Sequence, residues 1–447
     1  MEQRRKNLTQ LFIPICLETL LYMLSGMVDT LMLSSVNDQA VGAVGTANTY
    51  IGIFIIMFSV ISSGMVAVMT QNIGAGRPGV AYQARQLGLA FNAVLGVIMS
   101  LFLSLGAGTI LSGVGVADAL MQPAKTYLQI VGGFCILNAL IPICSSYLRA
   151  FGFSKEPLYA SIIGNVINFC LNAFFLFVLH KGVAGVATAT VISRIINLVI
   201  VVLLGAVLVK AKQHPERESN RAVMGQIIRI GLPSACETAI YNVSMTLVIR
   251  FLNQMDAQGL NVTARSYTMQ ITNFSYCVGA ALAQANAIMT GWHIGAKEYD
   301  ACDRGTKKAA VIGVIVAVIL ETVFTLCSGW IMQLFSKDPQ MVSLVGKLLA
   351  IDIVLEMGRV TNLVYGQALK TSGDAVFPVV MGACFMILCS VGGTYLFGIR
   401  LGLLAVGAYI GMAGDECVRA VGMYLRWKSG KWKEKLSLIH ISEPTRL

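Results

Sequence analysis

Charged residues are scarce in this chain of 447 residues, in which Asp, Glu, Lys and Arg together make up only 12%. Soluble globular domains carry about 25% charged residues, which keep their surfaces in contact with water. Hydrophobic residues make up 56% of the chain, and the mean hydropathy is +0.72. The shortage of charge excludes an ordinary cytosolic enzyme and indicates an integral membrane protein.

Several sequence motifs that carry chemistry are absent. The chain has 11 cysteines but no Cys-x-x-Cys pair, so a disulfide framework, a zinc site and a redox motif are unsupported. HExxH, GxSxG and Walker-type sequences are also missing, and no soluble segment is long enough to hydrolyse ATP. We therefore expect a protein that is not an enzyme, needs no cofactor and is driven by an ion gradient.

Long apolar runs account for most of the chain. A transmembrane helix needs about 20 mostly apolar residues, and the runs are continuous rather than alternating, which favours helices over a β-barrel. We predict an all-α integral membrane protein with twelve transmembrane helices. The predicted spans are about 10–34, 45–71, 87–111, 125–148, 157–179, 184–209, 226–251, 262–290, 308–333, 342–368, 376–397 and 403–425.

The net charge of +11 comes from basic residues in short loops, not from one patch. With the N-terminus inside, the inner segments hold 21 Lys and Arg residues and the outer segments hold four. The positive-inside rule then predicts that both termini are cytoplasmic. We expect a multi-pass protein of the cell (inner or plasma) membrane that binds no nucleic acid.

The two halves of the sequence resemble each other. The motif Pro14-x-x-x-Glu18 recurs as Pro233-x-x-x-Glu237, at an offset of 219 residues. The motif Arg149-x-x-Gly-x-x-x-x-Pro recurs at Lys370 with an offset of 221. We infer a duplication of six spans with the same orientation, an architecture found in transporters that bind substrate between the repeats near mid-membrane.

The repeat predicts two pseudo-symmetric six-helix lobes, 1–210 and 224–436, joined by a cytoplasmic linker, 211–223. The last eleven residues, 437–447 (SLIHISEPTRL), resemble a translated sequencing adapter and are left out of this prediction.

Six motifs, in order across the twelve spans, make the chain resemble the MATE (multidrug and toxic compound extrusion) family over about residues 8–435. The resemblance implies a two-lobed, V-shaped antiporter of bacterial type that exports small organic cations or drugs in exchange for Na⁺ or H⁺. The motifs are Pro14…Glu18…Val28-Asp29-Thr30, Gln71-Asn-Ile-Gly-Ala-Gly76, Leu148-Arg-Ala-x-Gly152, Asn168-x-x-x-Asn172, Gly185-Val-Ala-x-Ala-Thr190 and Glu356-x-Gly-Arg359-x-x-Asn362.

A cation-coupling site is predicted in the first lobe. Asp29, Asn168, Asn172 and Thr190 lie at similar depth, and Asn165 shares a helical face with the other two asparagines. One carboxylate with amide and hydroxyl oxygens suits a dehydrated Na⁺, and the carboxylate alone suits a proton. The resemblance implies that these positions form the family's N-terminal cation site, although some members carry Asp where this chain has Asn172. The alternative is that the asparagines only bond neighbouring helices.

Glu18 shares a helix face with Asp29 but lies about 16 Å away along the axis, too far to bind the same ion. We expect a salt bridge between Glu18 and Arg194 of the sixth span. In the second lobe, Arg359 should neutralise either Glu237 or Glu356, as part of a structural or gating network. Direct contact with a cationic substrate is the alternative for these residues.

The second lobe also departs from the family pattern. One branch of the family has acids at the positions of Tyr241 and Arg359, which casts doubt on a second ion site here. A competing function is a flippase for lipid-linked glycans, from the wider superfamily. A flippase would need a cationic cavity for pyrophosphate, whereas acids outnumber arginines in these spans. We expect a monomer with the lipid bilayer and small organic cations as its partners.

The predicted orientation can be tested by labelling single introduced cysteines from outside the cell. Loops near Lys125, Lys181 and Lys337 should react, and positions near Lys212 and Lys307 should not, because the membrane shields them. Labelling at Lys212 by an impermeant reagent would contradict the orientation.

Overall fold

The computed structural model describes residues 6–35, 38–113, 116, 118–210, 214–256, 259–333 and 335–436. Every regular element within these ranges is helical, which confirms the all-α prediction. Residues 211–213 of the predicted linker and the whole segment 437–447 lie outside the described residues.

The described residues form twelve long helical segments, one for each predicted span. The fourth is bent by 42° at a break of a few residues. Short helices also occur at Ser328–Met332 and Trp432–Leu436. The long segments are α1 Leu8–Ser34, α2 Asp38–Gly74, α3 Pro78–Gly113, α4 Asp118–Gly132 with Ile136–Ala150, α5 Lys155–Val178, α6 Gly182–Leu208, α7 Asn220–Met255, α8 Leu260–Gly295, α9 Tyr299–Leu326, α10 Pro339–Thr371, α11 Val376–Arg400 and α12 Leu404–Lys428.

Seven of these helices are long and apolar enough to cross a membrane on composition alone, and the bent α4 makes eight. The other four, α7, α8, α10 and α12, are interrupted by polar and charged side chains. In α10 and α12 these side chains are mostly buried; they include Asp352, Glu356, Asp415, Glu416 and Arg419. The polar residues of α10 and α12 therefore mostly face other helices of the protein rather than lipid.

The described residues fall into two compact units that divide after Gly231, within α7. The first turns of α7 belong to the first unit because they pack closely against α2. A Cβ atom at Gly231 would collide with the carbonyl oxygen of Val60, and one at Gly64 would collide with that of Ile227. Only glycine permits this approach of two helix backbones.

The linker is also held on the first unit. The side-chain amide of Gln83 donates to the carbonyl oxygen of Glu218 at 2.7 Å and to Asn220 Oδ1 at 2.6 Å. Its Oε1 accepts the Glu218 N–H at 3.0 Å. Arg77 forms an ion pair with the Glu218 carboxylate at 2.6 Å. These contacts fix the chain where it enters α7.

The helix bounds repeat between the two units. The start of α3 at Pro78 corresponds to that of α9 at Tyr299, and the start of α4 at Asp118 to that of α10 at Pro339. The ends of α4 and α10, Ala150 and Thr371, also correspond. All three pairs are 221 residues apart, which is the offset of the repeated Arg149 and Lys370 motif. The duplication inferred from sequence therefore extends to the helices themselves.

The close approach of α7 to α2 predicts a strong effect of enlarging Gly231. Gly231→Ala should lower the free energy of unfolding by about 1–3 kcal/mol, because the added methyl group forces two backbones apart. Thermal unfolding followed by size-exclusion chromatography measures this loss. The matched control is Gly225→Ala on the same helix, where a Cβ meets no atom within 4 Å. Equal behaviour of the two variants would contradict the proposed packing constraint.

Candidate functional site

Asp29 of α1 meets the asparagines of α5 inside the first unit. The side-chain amide of Asn172 donates to Asp29 Oδ1 at 2.6 Å and to Asn168 Oδ1 at 3.3 Å. Asn168 is 5% exposed and Asn172 is 0% exposed. The Asn172 Oδ1 atom is buried without a hydrogen-bond partner. The structure thus brings three of the four predicted cation-coupling residues together.

The local structure of α5 places these groups. Asn168 and Asn172 are one turn apart, so their amides share one face of the helix. Directly after Ala173 the helix widens into a π-helical segment, Phe174–Val178. Such segments are frequent at functional sites, and α11 contains the corresponding one at Thr394–Arg400.

The fourth predicted residue, Thr190 of α6, is buried but donates its hydroxyl to the carbonyl oxygen of Val186 at 2.9 Å, on its own helix. Asn165 lies near α1, where its amide reaches the carbonyl oxygen of Leu21 at 3.5 Å. Two residues outside the predicted cation-coupling set lie within electrostatic range of Asp29: Arg194 of α6, which was expected to pair with Glu18, and the buried Tyr127 of α4. Tyr127 gives no signal in the sequence, because an aromatic residue near a span end is commonplace.

The prediction that Glu18 pairs with Arg194 is wrong. Glu18 forms an ion pair with Arg149, at 2.6 Å between Oε2 and Nη2. Arg194 instead donates to Asn138 Oδ1 of α4 at 2.9 Å. Arg149 lies at the end of α4, from which its long side chain reaches α1. The sequence does not show which helices are neighbours.

The second unit contains the equivalent ion pair. Glu237 of α7 lies 2.6 Å from Nζ of Lys370, at the end of α10. Glu18 and Glu237 are the acids of one repeated motif, and Arg149 and Lys370 are the bases of the other. Each repeat therefore joins its first helix to the end of its fourth. Both partners were visible in the sequence repeat, but their contact was not.

Arg359 does not pair with Glu237, so that alternative is wrong. The other alternative is confirmed, because Arg359 forms an ion pair with Glu356 one turn away on α10. Arg359 also lies 3.5 Å from Glu416 of α12. The guanidinium carbon of Arg359 lies over the ring of Tyr276 on α8, at 5.9 Å from the ring centre.

A second arginine extends this network along α12. Arg419 binds Asp415 through two hydrogen bonds of 2.8 and 2.9 Å and lies 2.8 Å from Glu416. Asn362 donates to the other Glu416 oxygen at 3.0 Å, and Ser390 of α11 donates to Asp415 at 2.9 Å. Asp415, Glu416 and Arg419 were not among the residues predicted from the sequence. Their signal is the run Gly414-Asp-Glu-Cys-Val-Arg419 inside an otherwise apolar span.

Among its described residues, the second unit has no counterpart of the Asp29 site. At the offset of the repeated glutamates, Val248 stands in the position of Asp29 and is fully buried in the apolar core. At the offset of 221, Gly393 stands in the position of Asn172. The two units have equivalent helices and an equivalent ion pair, whereas the polar residues buried inside each unit are different.

Twelve membrane-length helices, in two related units that bury ionisable side chains, define a membrane transporter with internal repeats. The MatE family model matches this chain twice, at residues 14–174 and 233–396. The chain belongs to the MatE family of transporters. The two matches begin at Pro14 and Pro233, the prolines of the repeated motif.

Several proteins are similar over nearly the full length. "Uncharacterized transporter YisQ" of Bacillus subtilis (strain 168) is 34% identical over 428 residues, covering 94% of both chains. "Probable multidrug resistance protein NorM" of Thermotoga maritima is 23% identical over 450 residues, covering 97% of this chain and 94% of that protein.

Solved structures share the fold. An outward-facing multidrug resistance MATE family transporter of the MOP superfamily superposes with a TM-score of 0.87 at 18% identity, covering 96% of each chain. A MOP superfamily transporter from Pyrococcus furiosus, whose reversed pocket polarity is said to suggest a different function, gives a TM-score of 0.85 at 18% identity, with the same coverage.

The repeated ion pairs predict that charge can be exchanged within a pair. Glu18→Arg or Arg149→Glu alone should destabilise the protein by about 3–5 kcal/mol, since each leaves like charges facing each other in a largely buried site. The double variant should recover most of the lost thermal stability. As a control, Arg149→Lys and Lys370→Arg should be tolerated, because each repeat already uses the other's base. A double variant no more stable than the singles would contradict the pairing.

Proposed function

We propose that this protein is a secondary-active antiporter that exports small organic cations across the cell membrane in exchange for Na⁺ or H⁺. The observation that carries the proposal is the hydrogen bond from the buried Asn172 to Asp29 Oδ1, with Asn168 Oδ1 accepting from the same amide. An acid within a membrane span is costly to bury, so it normally has a partner and marks a functional site. The names of the relatives, which include multidrug resistance proteins, support the same class of cargo.

The coupling step follows from the chemistry of the site. The Asn172 amide donates to Asp29 Oδ1 and to Asn168 Oδ1. Its N–H group therefore occupies the place where a cation would bind, and its positive end partly offsets the charge of Asp29. A proton on Asp29 removes its charge. A Na⁺ ion would instead draw on the two carboxylate oxygens and, after rotation of the amide, on the unpartnered Asn172 Oδ1. Either ion drives antiport if ion and substrate favour different conformations.

The charge of the buried groups favours a cationic cargo. Among the buried residues of the second unit, acids outnumber arginines. A lipid-linked glycan carries a pyrophosphate, which requires an excess of cations. We therefore place drug export ahead of a flippase activity. We further propose that both termini are cytoplasmic and that the protein works as a monomer.

Asp29→Asn should abolish gradient-driven export while the protein stays folded. The substituted amide keeps the oxygen that accepts from Asn172 but cannot bind a proton at neutral pH or supply a charge to Na⁺. Dye efflux from a pump-deficient bacterium, with sodium and proton gradients varied separately, measures the effect. Normal export by Asp29→Asn would contradict the coupling role.

Two further variants sharpen the assay. Asn172→Asp adds a second carboxylate beside Asp29, so it should shift the pH or sodium dependence of export rather than eliminate it. Cys170→Ala, on the exposed face of the same helix, is the matched control and should leave export unchanged. If the sodium gradient alone sustains export, the coupling ion is Na⁺; if only the proton gradient does, it is H⁺.

A further inference from the structure

Three acids of the second unit have carboxylate oxygens without partners. Glu321 of α9 is 0% exposed, and neither of its carboxylate oxygens accepts a hydrogen bond. On α10, Asp352 is 2% exposed with Oδ2 unpartnered, and Glu356, one turn further on, has Oε2 unpartnered. Asp352 and Glu356 lie within electrostatic range of Glu321. The unpartnered oxygens therefore belong to one buried cluster.

The two arginines that pair with acids of this region, Arg359 and Arg419, are already engaged, whereas Arg265 of α8 shares the neighbour Tyr409 with Asp352 but contacts the Met245 sulfur. Arg419 is held by Asp415 and Glu416, and Arg359 by Glu356 and Glu416. Neither Glu321 nor Asp352 forms an ion pair with any residue that the structure describes. The cluster with its α12 neighbours thus contains five acids and two arginines: Glu321, Asp352, Glu356, Asp415, Glu416, Arg359 and Arg419. Full ionisation would bury three uncompensated charges, which a protein interior does not tolerate.

The fold itself does not require acids at these places. At the offset of 221 that relates the helices of the two units, the first unit has Ser100, Val131 and Cys135. Val131 and Cys135 belong to its apolar core, and the Ser100 hydroxyl accepts the Ile136 N–H at 3.0 Å. The same helix pair is therefore stable with small or apolar side chains, so the acids of the second unit serve another purpose.

The surroundings favour a proton over a metal cation. No group of three or more His, Cys, Asp or Glu side chains in the described ranges has the arrangement that holds a metal ion. From α8 the neutral hydroxyl of Ser275 faces Glu321, and from α10 the positive Arg359 lies within electrostatic range. Around Asp352, α12 contributes Tyr409 and Glu416. A sodium ion would meet a nearby guanidinium and too few converging oxygens, whereas a proton needs only one carboxylate oxygen.

We propose that Glu321, Asp352 and Glu356 form a proton-binding site inside the second unit, distinct from the Asp29 site. Protons there neutralise the charge that the two arginines leave uncompensated. Carboxyl groups this close titrate as a set, so the protons belong to the cluster rather than to a single residue. Loss of a proton would create a buried carboxylate that needs water or a new cationic partner. Proton occupancy is therefore linked to the packing of α9 against α10.

The role of this site in transport rests on the proposed antiport function. A proton released from one conformation and taken up by another contributes to coupling, because the two conformations bind it with different affinity. Proton binding itself does not rest on that function and can be measured without a substrate.

Infrared difference spectra of the purified full-length protein between acidic and alkaline pH test the proposal. Protonated carboxyl groups have a distinct carbonyl band, which disappears as they ionise. Glu321→Gln and Asp352→Asn should each remove the share of one carboxyl from this band. Each variant should also release fewer protons per molecule when the pH is raised in weak buffer. The matched control is Asp374→Asn, a buried acid already paired with Arg426 at 2.7 Å, which should leave the band unchanged.

Unchanged bands and proton release in both variants would overturn the proposal. Proton release on adding sodium chloride in place of choline chloride at constant pH, measured in the Asp29→Asn variant so that the first unit cannot contribute, would also overturn it, since the cluster would then bind Na⁺. Glutamine has nearly the shape of a protonated glutamic acid, so Glu321→Gln should fold. If Glu321→Gln aggregates, Asp352→Asn supplies the same test, because it removes the other acid of the cluster that has no ion-pair partner. A chain that exports no cation under either gradient would refute antiport, yet the spectra would still decide whether this cluster binds protons.

Discussion

The high free energy of an unpaired charge among apolar helices governs the arrangement of this protein. Each unit joins its first helix to the end of its fourth through one ion pair, Glu18 with Arg149 or Glu237 with Lys370. Breaking a buried pair by removing one partner is strongly destabilising, whereas exchanging one base for another is mild. The duplicated pair has accordingly kept its charges while its base diverged between Arg and Lys.

The twelve spans and the duplication could be predicted from the sequence, since both depend on periodic features of composition and on repeated Pro, Glu and Gly residues. The contact of Asp29 with Asn172 was also predictable, because the position of each residue along its own span shows that the two lie at a similar depth in the membrane. The partner of Glu18 was not, because depth does not specify which helices are neighbours. Glu321, Asp352 and the α12 triad of Asp415, Glu416 and Arg419 were overlooked for another reason. Single charges inside long apolar runs are easily taken as interruptions of a span.

The two units also show how one scaffold accommodates opposite polarity. In the first unit a bond joins α6 to α4, from Arg194 to Asn138. In the second unit the same helix pair is joined in reverse, with Arg359 on α10 and Glu416 on α12. In the first unit the arginine lies on α6 and has a single acid, Asp29, nearby. In the second unit the equivalent contact has its arginine on α10, and several acids surround two arginines.

The proposal of one proton site in each unit, at Asp29 and at the Glu321 cluster, has an electrical consequence. A carrier that returns one proton at each of two sites for every monovalent cation exported moves one net charge across the membrane per cycle. Its driving force then includes the membrane potential, which contributes about 2.3 kcal/mol per elementary charge for every 100 mV. A carrier with the Asp29 site alone would exchange charge for charge and would respond only to the concentration gradients. If both proposed sites couple protons to export, the buried acids of the second unit make the transporter electrogenic.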